Sequence, residues 1–152
     1  MTSEFVVRAD EDRQQSPVRF LNGRFDAKVS SRDTNGAVYI VDTIRSRRGG
    51  PPLHLHFDQD EWFMVEEGSF RFRIGDDYFD LEPGDSIFGP RRVSHQFANV
   101  TETGRLLIMF QPAGTMEEFF ASGMMDPMSE AFAELSRKHG MEVLGPPLAL
   151  EP

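Results

Sequence analysis

The sequence predicts an all-β protein, a barrel or sandwich of short strands followed by one or two short C-terminal α-helices. Two patterns predict this class. From Val18 onwards, apolar and polar residues alternate in short runs that Gly, Pro, Asn and Asp interrupt roughly every 8–12 residues, as in all-β sandwiches and barrels. After Gly114 the spacing of the apolar residues becomes that of a helix. These patterns divide the chain into an N-terminal arm (1–17), a barrel (18–114) and a C-terminal helical appendage with a tail (115–152).

The clearest strand signal lies in residues 70–74, where Phe70, Phe72 and Ile74 alternate with two arginines. Successive side chains of a strand point to opposite faces, so we expect the three apolar residues to face the barrel interior and the arginines to face outward. The Gly-Asp-Asp turn at 75–77 leads into a second apolar-rich run. Together the two runs predict a β-hairpin.

The residues after the barrel predict two helices. The first begins after Thr115, which can cap it, and ends at Gly123. The second begins near Pro127, because proline suits the first helical position, and runs to His139, which we expect to interact with the helix dipole. The tail around 145–147 is rich in proline and is expected to form an extended cover or strap.

The composition limits the possible partners. The chain of 152 residues has 16 basic and 25 acidic residues and a net charge of −9, which argues against binding to nucleic acid or to an anionic membrane surface. It contains no cysteine, which excludes disulfides, thiol nucleophiles and thiolate metal sites. We see neither a secretory signal pattern nor a long apolar run, and expect a cytoplasmic protein. The 14 phenylalanines, against two tyrosines and one tryptophan, indicate a need for aromatic bulk without polar groups.

Three histidines and one glutamate in the barrel region form the chemically informative set. His54 and His56 are two residues apart, so on a strand both imidazoles point to the same face. Glu61 follows five residues after the second histidine, and His95 lies on a distant segment. Three neutral imidazoles and one carboxylate suit a borderline divalent metal ion. A metal that prefers six ligands would keep two positions for water, dioxygen or substrate.

These residues lie in two stretches that resemble the motifs of the cupin superfamily. Residues 49–68 resemble the first motif, G(X)5HXH(X)3-4E(X)6G, and residues 84–99 resemble the second, G(X)5PXG(X)2H(X)3N. The sequence departs from the motifs at Gly49, which is one residue too close to His54, and at Arg92, which stands where the second motif has its middle glycine. Neither departure falls on a ligand position.

The resemblance implies a jelly-roll β-barrel (a double-stranded β-helix) with His54, His56, Glu61 and His95 as metal ligands at its mouth. The cofactor would be one divalent metal ion, and the ligand set is compatible with Fe, Mn, Ni, Co, Cu or Zn. The proline-rich lead into the first motif, and the run 110–114 before a phenylalanine-rich helix, resemble small single-domain cupins described as quercetin-dioxygenase-like. The family habit and the exposed edges of a small jelly roll favour a homodimer.

Strand alternation also predicts what surrounds the metal. Phe63 and Val65 share a face with the carboxylate ligand that precedes them, and Phe97 shares a face with the third histidine. With Phe72 from the hairpin, these residues predict a dry substrate pocket for an apolar or aromatic small molecule. Phe63 and Phe97 are the best candidates for substrate contact. The alternative is that these side chains only fill the barrel.

Two arginine pairs lie on the loops that lead into the histidine motifs. They are either solvated loop charges or a gate that holds an anionic substrate. The pairs are Arg47 with Arg48 and Arg91 with Arg92.

The ligand set and the resemblance lead to three functional hypotheses. The first is a metal-dependent dioxygenase that acts on a small aromatic or enolic substrate, with Glu61 as ligand, as catalytic base, or as both. The second is a non-redox isomerase, cyclase or lyase that uses the ion as a Lewis acid. The third is a small-ligand-binding protein without turnover. One fold hosts many chemistries, so the resemblance alone does not choose between them.

Overall fold

A computed structural model describes residues 2–150, in which eleven strands and two α-helices follow one another. The first residue of the predicted arm and the last two of the predicted tail lie outside the described residues. The strands are β1 (Val18–Phe20), β2 (Gly23–Val29), β3 (Tyr39–Arg45), β4 (Pro52–His56), β5 (Asp60–Glu67), β6 (Phe70–Ile74), β7 (Asp77–Leu81), β8 (Ser86–Gly89), β9 (His95–Asn99), β10 (Gly104–Gln111) and β11 (Met141–Pro147). The helices are α1 (Met116–Phe120) and α2 (Glu130–Lys138), and Ser31–Thr34 forms a 3₁₀ turn.

The strands form two antiparallel sheets. The six-stranded sheet has the order β1-β2-β3-β10-β5-β8, and the five-stranded sheet has the order β11-β4-β9-β6-β7. Several neighbours are far apart in the chain: β3 pairs with β10, and β4 lies between β9 and β11. Long connections between the two sheets are typical of jelly rolls. The predicted all-β jelly-roll class with two short C-terminal helices is confirmed.

The paired strands β5 and β10 show why these residues form strands. Along β10, Leu106, Ile108 and Phe110 are buried, and the residues between them are partly exposed. On β5, Phe63 and Val65 are buried in the same alternating way. Burial of one such side chain contributes about 1.5–3 kcal/mol, and a slip of one residue would expose the whole set. The alternation therefore fixes which residues face the interior.

Phenylalanines fill the interior in two groups. Phe63, Phe72 and Phe97 pack against one another, with ring centroids 5.0, 5.5 and 5.4 Å apart. The second group lies where the helices meet β1 and β2, and consists of Phe20, Phe25, Phe119, Phe120 and Phe132. Because phenylalanine has no polar atom, both groups pack without requiring hydrogen-bond partners. The surplus of phenylalanine thus serves the interior.

The predicted hairpin consists of β6 and β7. Ile74 pairs with Asp77, so Gly75 and its successor form a two-residue turn, and the positive φ of Gly75 (58°) suits such a turn. Phe70 and Phe72 are fully buried, as alternation predicts, whereas Ile74 is partly exposed near the strand end.

The C-terminal helices differ from the prediction at two boundaries, since the first helix ends at Phe120 rather than at Gly123. The second helix does not begin near Pro127, because the hydroxyl of Ser129 accepts a hydrogen bond from the backbone N–H of Phe132 at 3.1 Å and caps the helix there. The first helix follows Thr115, but the Thr115 side chain makes no capping hydrogen bond. The backbone N–H groups of His139 and Gly140 bond the last carbonyls of the second helix. Neither of these two helices is long and apolar enough to cross a membrane.

Residues 141–147 do more than cover the barrel. They form β11, an edge strand whose Met141 pairs with His56 and whose Val143 pairs with His54. The segment that the sequence analysis separated as an appendage therefore contains a strand of the five-stranded sheet. Its Gly-Pro-Pro run is not typical of a strand, so the sequence pattern does not predict one. Prolines are tolerated here because β11 lies at the edge of the sheet.

Candidate metal centre

The three predicted histidine ligands meet because β4 and β9 are neighbours in the five-stranded sheet. His54 lies directly opposite His95 in the register, and His56 follows on the same face of β4. The ring centroids of His54 and His95 are 4.5 Å apart, and those of His56 and His95 are 5.5 Å apart. Three imidazoles are therefore held side by side.

Glu61 completes the set from β5, in the other sheet. Its Oε1 lies 2.7 Å from Nε2 of His56 and 2.9 Å from Nε2 of His95. One potential ligand atom from each residue of the set His54, His56, Glu61 and His95 lies within 4.8 Å of the others. His54 is half-buried and the other three are buried. The structure thus brings together all four residues that the sequence motifs predict as metal ligands.

The outer nitrogens of the histidines show which nitrogen faces the centre. Nδ1 of His54 lies 2.8 Å from the carbonyl oxygen of Pro52, and Nδ1 of His95 lies 3.3 Å from that of Val93. A carbonyl can only accept, so each Nδ1 carries the hydrogen and donates it. In the neutral imidazole Nε2 is then left with a lone pair, which is the form in which an imidazole binds a metal ion.

Gln59 accepts the hydrogen of Nδ1 in His56, as the backbone carbonyls do for the other two histidines. Its Oε1 lies 3.2 Å from Nδ1 of His56, while its amide nitrogen donates to the carbonyls of Pro112 and Ala113 at 3.0 and 2.7 Å. The two carbonyls fix the orientation of the amide, so its oxygen must face the histidine. Such outer hydrogen bonds orient metal ligands and raise their basicity.

The ionisation of the set is governed by burial and by mutual contact. Burial alone would raise the pKa of Glu61, but the neighbouring His56 and His95 outweigh it and hold that pKa well below its ordinary value. Burial lowers the pKa of His54 to about 3, and the two nearby histidines lower it further. Burial also acts to lower the pKa of His95, but the Glu61 carboxylate outweighs it and raises the pKa. The site therefore holds one ionised carboxylate among imidazoles.

This donor set fits a divalent metal ion. With each Nδ1 committed as a donor, the Nε2 lone pairs of His56 and His95 both face Oε1 of Glu61. Electron pairs that face one another at such distances are stabilised by a cation between them. Three nitrogen donors and one carboxylate without a thiolate suit Fe, Mn, Co, Ni, Cu or Zn. The residues His54, His56, Glu61 and His95 would hold that ion.

A cavity adjoins the centre. His54, His56 and Glu61 line it, and so do Phe97 and Phe110. Much of the remaining wall comes from β1, β2 and the C-terminal helices, through Phe20, Phe25, Met116, Phe119, Phe120 and Phe132. An apolar cavity with a few convergent polar groups is the usual form of a small-molecule site.

The four predicted pocket residues have different positions. Phe97 lines the cavity. Phe63, Val65 and Phe72 are fully buried and do not belong to its lining; the ring centroid of Phe63 lies 6.1 Å from that of His95. They share the inward face with the ligands, but they lie in the packed core. Contact with a substrate stays a prediction for Phe97 alone.

The second of the two arginine pairs on the loops is held by local contacts. Arg91 pairs with Asp60 at 3.2 Å, and Nε of Arg92 donates to the carbonyl of Phe57 at 3.0 Å. None of the four, Arg47 and Arg48 included, belongs to the lining of the cavity. The solvated-loop interpretation therefore describes their positions better than the gate.

Arg92, which stands where the motif has a glycine, adopts a backbone conformation that favours glycine. Its φ is 66°, in the left-handed region that favours glycine, and its backbone N–H donates to the carbonyl of His56 at 2.7 Å. That hydrogen bond ties the loop before His95 to the strand that carries the other two histidines. The departure from the motif at this position leaves the loop geometry in place.

Sequence reasoning missed two polar residues of the site and most of the cavity wall. Gln59 lies within the first motif, between His56 and Glu61, and its only signal in the sequence is its position three residues after a histidine. Arg45 lines the cavity and is almost completely buried, although it ends a strand and looks like a surface residue in the sequence. The helical phenylalanines reach the cavity through tertiary packing, which periodicity does not report.

The fold and the four converging donors define a jelly-roll protein with a candidate metal centre. The family model of the cupin domain matches residues 43–110, which include all four donors. A search of curated proteins finds no match. Over residues 43–110 the chain is therefore similar to the cupin domain, and its fold is the cupin jelly roll.

Solved structures with the same fold are distant in sequence. An RmlC-like cupin from Shewanella frigidimarina NCIMB 400 is 22% identical with a TM-score of 0.60, over 73% of this chain and 93% of that one. A mutant of the Bacillus subtilis oxalate decarboxylase OxdC is 20% identical with a TM-score of 0.58, over 74% of this chain and 31% of that one. KdgF from Halomonas sp. is 18% identical with a TM-score of 0.55, over 60% of this chain and 79% of that one. At these identities the likeness shows the fold alone.

Proposed function

We propose that the protein is a metal-dependent dioxygenase that acts on a small aromatic, phenolic or enolic substrate. The observation that carries the proposal is the convergence of three imidazole nitrogens and one carboxylate beside a cavity lined mainly by apolar side chains. The sequence resemblance to quercetin-dioxygenase-like cupins supports the choice of dioxygen chemistry.

The residues of the chain supply binding, orientation and proton transfer. A bound divalent ion would supply Lewis acidity and, if it is redox-active, a place for dioxygen. Both contacts of the Glu61 carboxylate with histidine nitrogens use Oε1, and within residues 2–150 no donor reaches Oε2. Oε2 can therefore accept the proton of a substrate hydroxyl group. The phenylalanine walls exclude water, which strengthens the electrostatic interactions in the site.

Metal analysis and oxygen uptake test this proposal together. We expect purified protein to hold one divalent ion per chain, and to consume oxygen in step with product formation on one member of a panel of flavonols, enols and diketones. His95→Ala removes a ligand and should abolish both. His139→Ala is the matched control, because this histidine contacts Thr115 outside the centre and should leave both unchanged.

The same experiment separates the alternatives. Turnover at an unchanged rate without oxygen, or with zinc in place of a redox metal, would contradict a dioxygenase and favour a non-redox isomerase, cyclase or lyase. Saturable binding of the panel compounds without any product would favour a small-ligand-binding protein.

We further propose that the protein is a homodimer. Trp62 and Met64 lie on the outward face of β5 and are only partly buried, and Phe88 beside Trp62 on β8 is 56% exposed. An apolar face of this kind suits a second copy of the chain. Sedimentation equilibrium measures the mass directly, and Phe88→Asp should shift it towards the monomer.

A further inference from the structure

Arg45 is the buried cation of the cavity. It ends β3, its residue surface is only 2% exposed, and it belongs to the cavity lining together with His54, His56 and Glu61. The guanidinium is held in place by neutral groups only. Nη1 donates to the side-chain oxygen of Asn22 at 2.9 Å and to the carbonyl of Gly49 at 3.3 Å.

Its positive charge has no anionic partner within residues 2–150. No carboxylate of these residues lies within ion-pair distance of Arg45, whereas two of the half-buried arginines, Arg24 and Arg105, each have at least one. Its Nε–H is buried and makes no hydrogen bond. Burial lowers the pKa of Arg45 to about 9, which records how unfavourable the charge is in this position. An uncompensated buried charge is costly, and an anion that binds next to it removes the cost.

The surroundings of Arg45 define where that anion would lie. Cζ of Arg45 is 5.0 Å from the ring centroid of Phe97, and Phe97 lines the cavity two residues along β9 from His95. In the other sheet, Phe110 pairs with Glu61 on one side and with the first residue of β3 on the other side. Arg45 is the last residue of β3. Arg45 and three of the metal ligands therefore line one cavity from different positions along the strands.

We propose that Arg45 binds the carboxylate, or a chemically similar oxyanion, of a substrate whose apolar body lies against the phenylalanines and whose other end reaches the metal centre. This inference rests on the proposed function and narrows it to anionic substrates with an apolar body. A guanidinium forms paired hydrogen bonds to a carboxylate, and the free Nε–H is one of the donors that this geometry uses.

Binding of a charged probe and its neutral analogue tests the proposal. We would titrate the metal-loaded full chain with 3-phenylpropionate and with 3-phenylpropanamide by calorimetry. We expect the wild type to bind the carboxylate at least about 10-fold more tightly than the amide, since hydrogen bonds to charged groups are the strong ones. Arg45→Gln should remove this preference and leave metal affinity unchanged. Arg47→Gln is the matched control, because this exposed arginine lies outside the cavity and should keep the preference.

A second readout uses the wild type and does not depend on whether Arg45→Gln folds. In ¹⁵N NMR spectra the Arg45 Nε–H resonance, identified by its loss in Arg45→Lys, should shift with 3-phenylpropionate and not with the amide. Equal affinities for the two probes in the wild type, or a carboxylate preference that survives in Arg45→Gln, would overturn the proposal; the second result would assign the anion to the metal. A purely structural Arg45 would leave its resonance unmoved. Failure of the metal to bind is seen in a metal titration without probe, and it would refute the proposed function instead.

Discussion

Replacing Gln59 with alanine tests whether the centre is built to bind a metal ion. The Gln59 side chain accepts from Nδ1 of His56 and donates to the carbonyls of Pro112 and Ala113. In Gln59→Ala the imidazole of His56 loses the acceptor that fixes its tautomer and orientation. Loss of such an outer partner lowers metal affinity about 10- to 100-fold. This range corresponds to about 1.4–2.7 kcal/mol of binding free energy.

The same substitution also lowers the stability of the metal-free fold. Three hydrogen bonds are lost at about 0.5–1.5 kcal/mol each, so we expect the free energy of unfolding to fall by about 1.5–4.5 kcal/mol. Gln96→Ala is the matched control. Gln96 is also a buried glutamine, but its amide donates to the carbonyl of Pro146 at 3.0 Å and its side chain contacts no metal ligand. It should lose stability and keep its metal affinity.

Competition with a chromophoric chelator measures zinc or cobalt affinity, and urea unfolding of the metal-free proteins measures stability. The reasoning predicts that the two variants differ in metal affinity although both are destabilised. Equal metal affinity of Gln59→Ala and the wild type would refute the role assigned to the outer hydrogen bond. Equal weakening in both variants would show that general loosening of the barrel, rather than His56, is responsible.

Three further predictions concern single positions. In Gly50→Ala the new methyl group would collide with the carbonyl oxygen of Phe97, so thermal unfolding should show a loss of more than about 2 kcal/mol or an insoluble protein. His95→Ala removes a ligand and should lower metal affinity by more than about 100-fold, the largest loss expected when only an outer hydrogen-bond partner is removed. The same chelator competition measures it. Burial, and then the contact with Asp42, raises the pKa of Glu66 from 4.5 to about 7. The stability that Glu66 contributes is therefore present below pH 4.5 and lost as the pH rises through 7, by less than about 1.4 kcal/mol per pH unit because the side chain is partly exposed. Glu66→Gln should accordingly raise the melting temperature at pH 8 more than at pH 5, and an equal effect at both would contradict this assignment.

The ligand set could be predicted from sequence because its information is local. His54 and His56 are two residues apart on one strand, and alternation alone places them on one face. The position of Glu61 and His95 came from motif spacing, which encodes the pairing of distant strands. The hairpin of β6 and β7 was predictable for the same reason, since its turn and both strands are contiguous.

The cavity could not be predicted in this way. Alternation gives the face of a residue but not its depth, so Phe63 and Phe97 looked equivalent although only Phe97 reaches the cavity. The charge of Arg45 suggested solvent, because nothing in a single sequence reports that β3 ends inside the barrel. β11 was hidden by its prolines, and its place beside β4 depends on long-range packing.

The pairing of β4 with β11 has a consequence for how the centre is assembled. The described register joins β4 to β9 only where His54 meets His95, whereas β11 pairs with β4 along its whole length. During synthesis the two histidines of β4 leave the ribosome long before the strand that clamps them, and contacts so distant in the chain form late. We therefore expect maturation of the metal centre to depend on completion of the C-terminal segment, because a nascent chain without that segment would present its histidines on an unclamped strand.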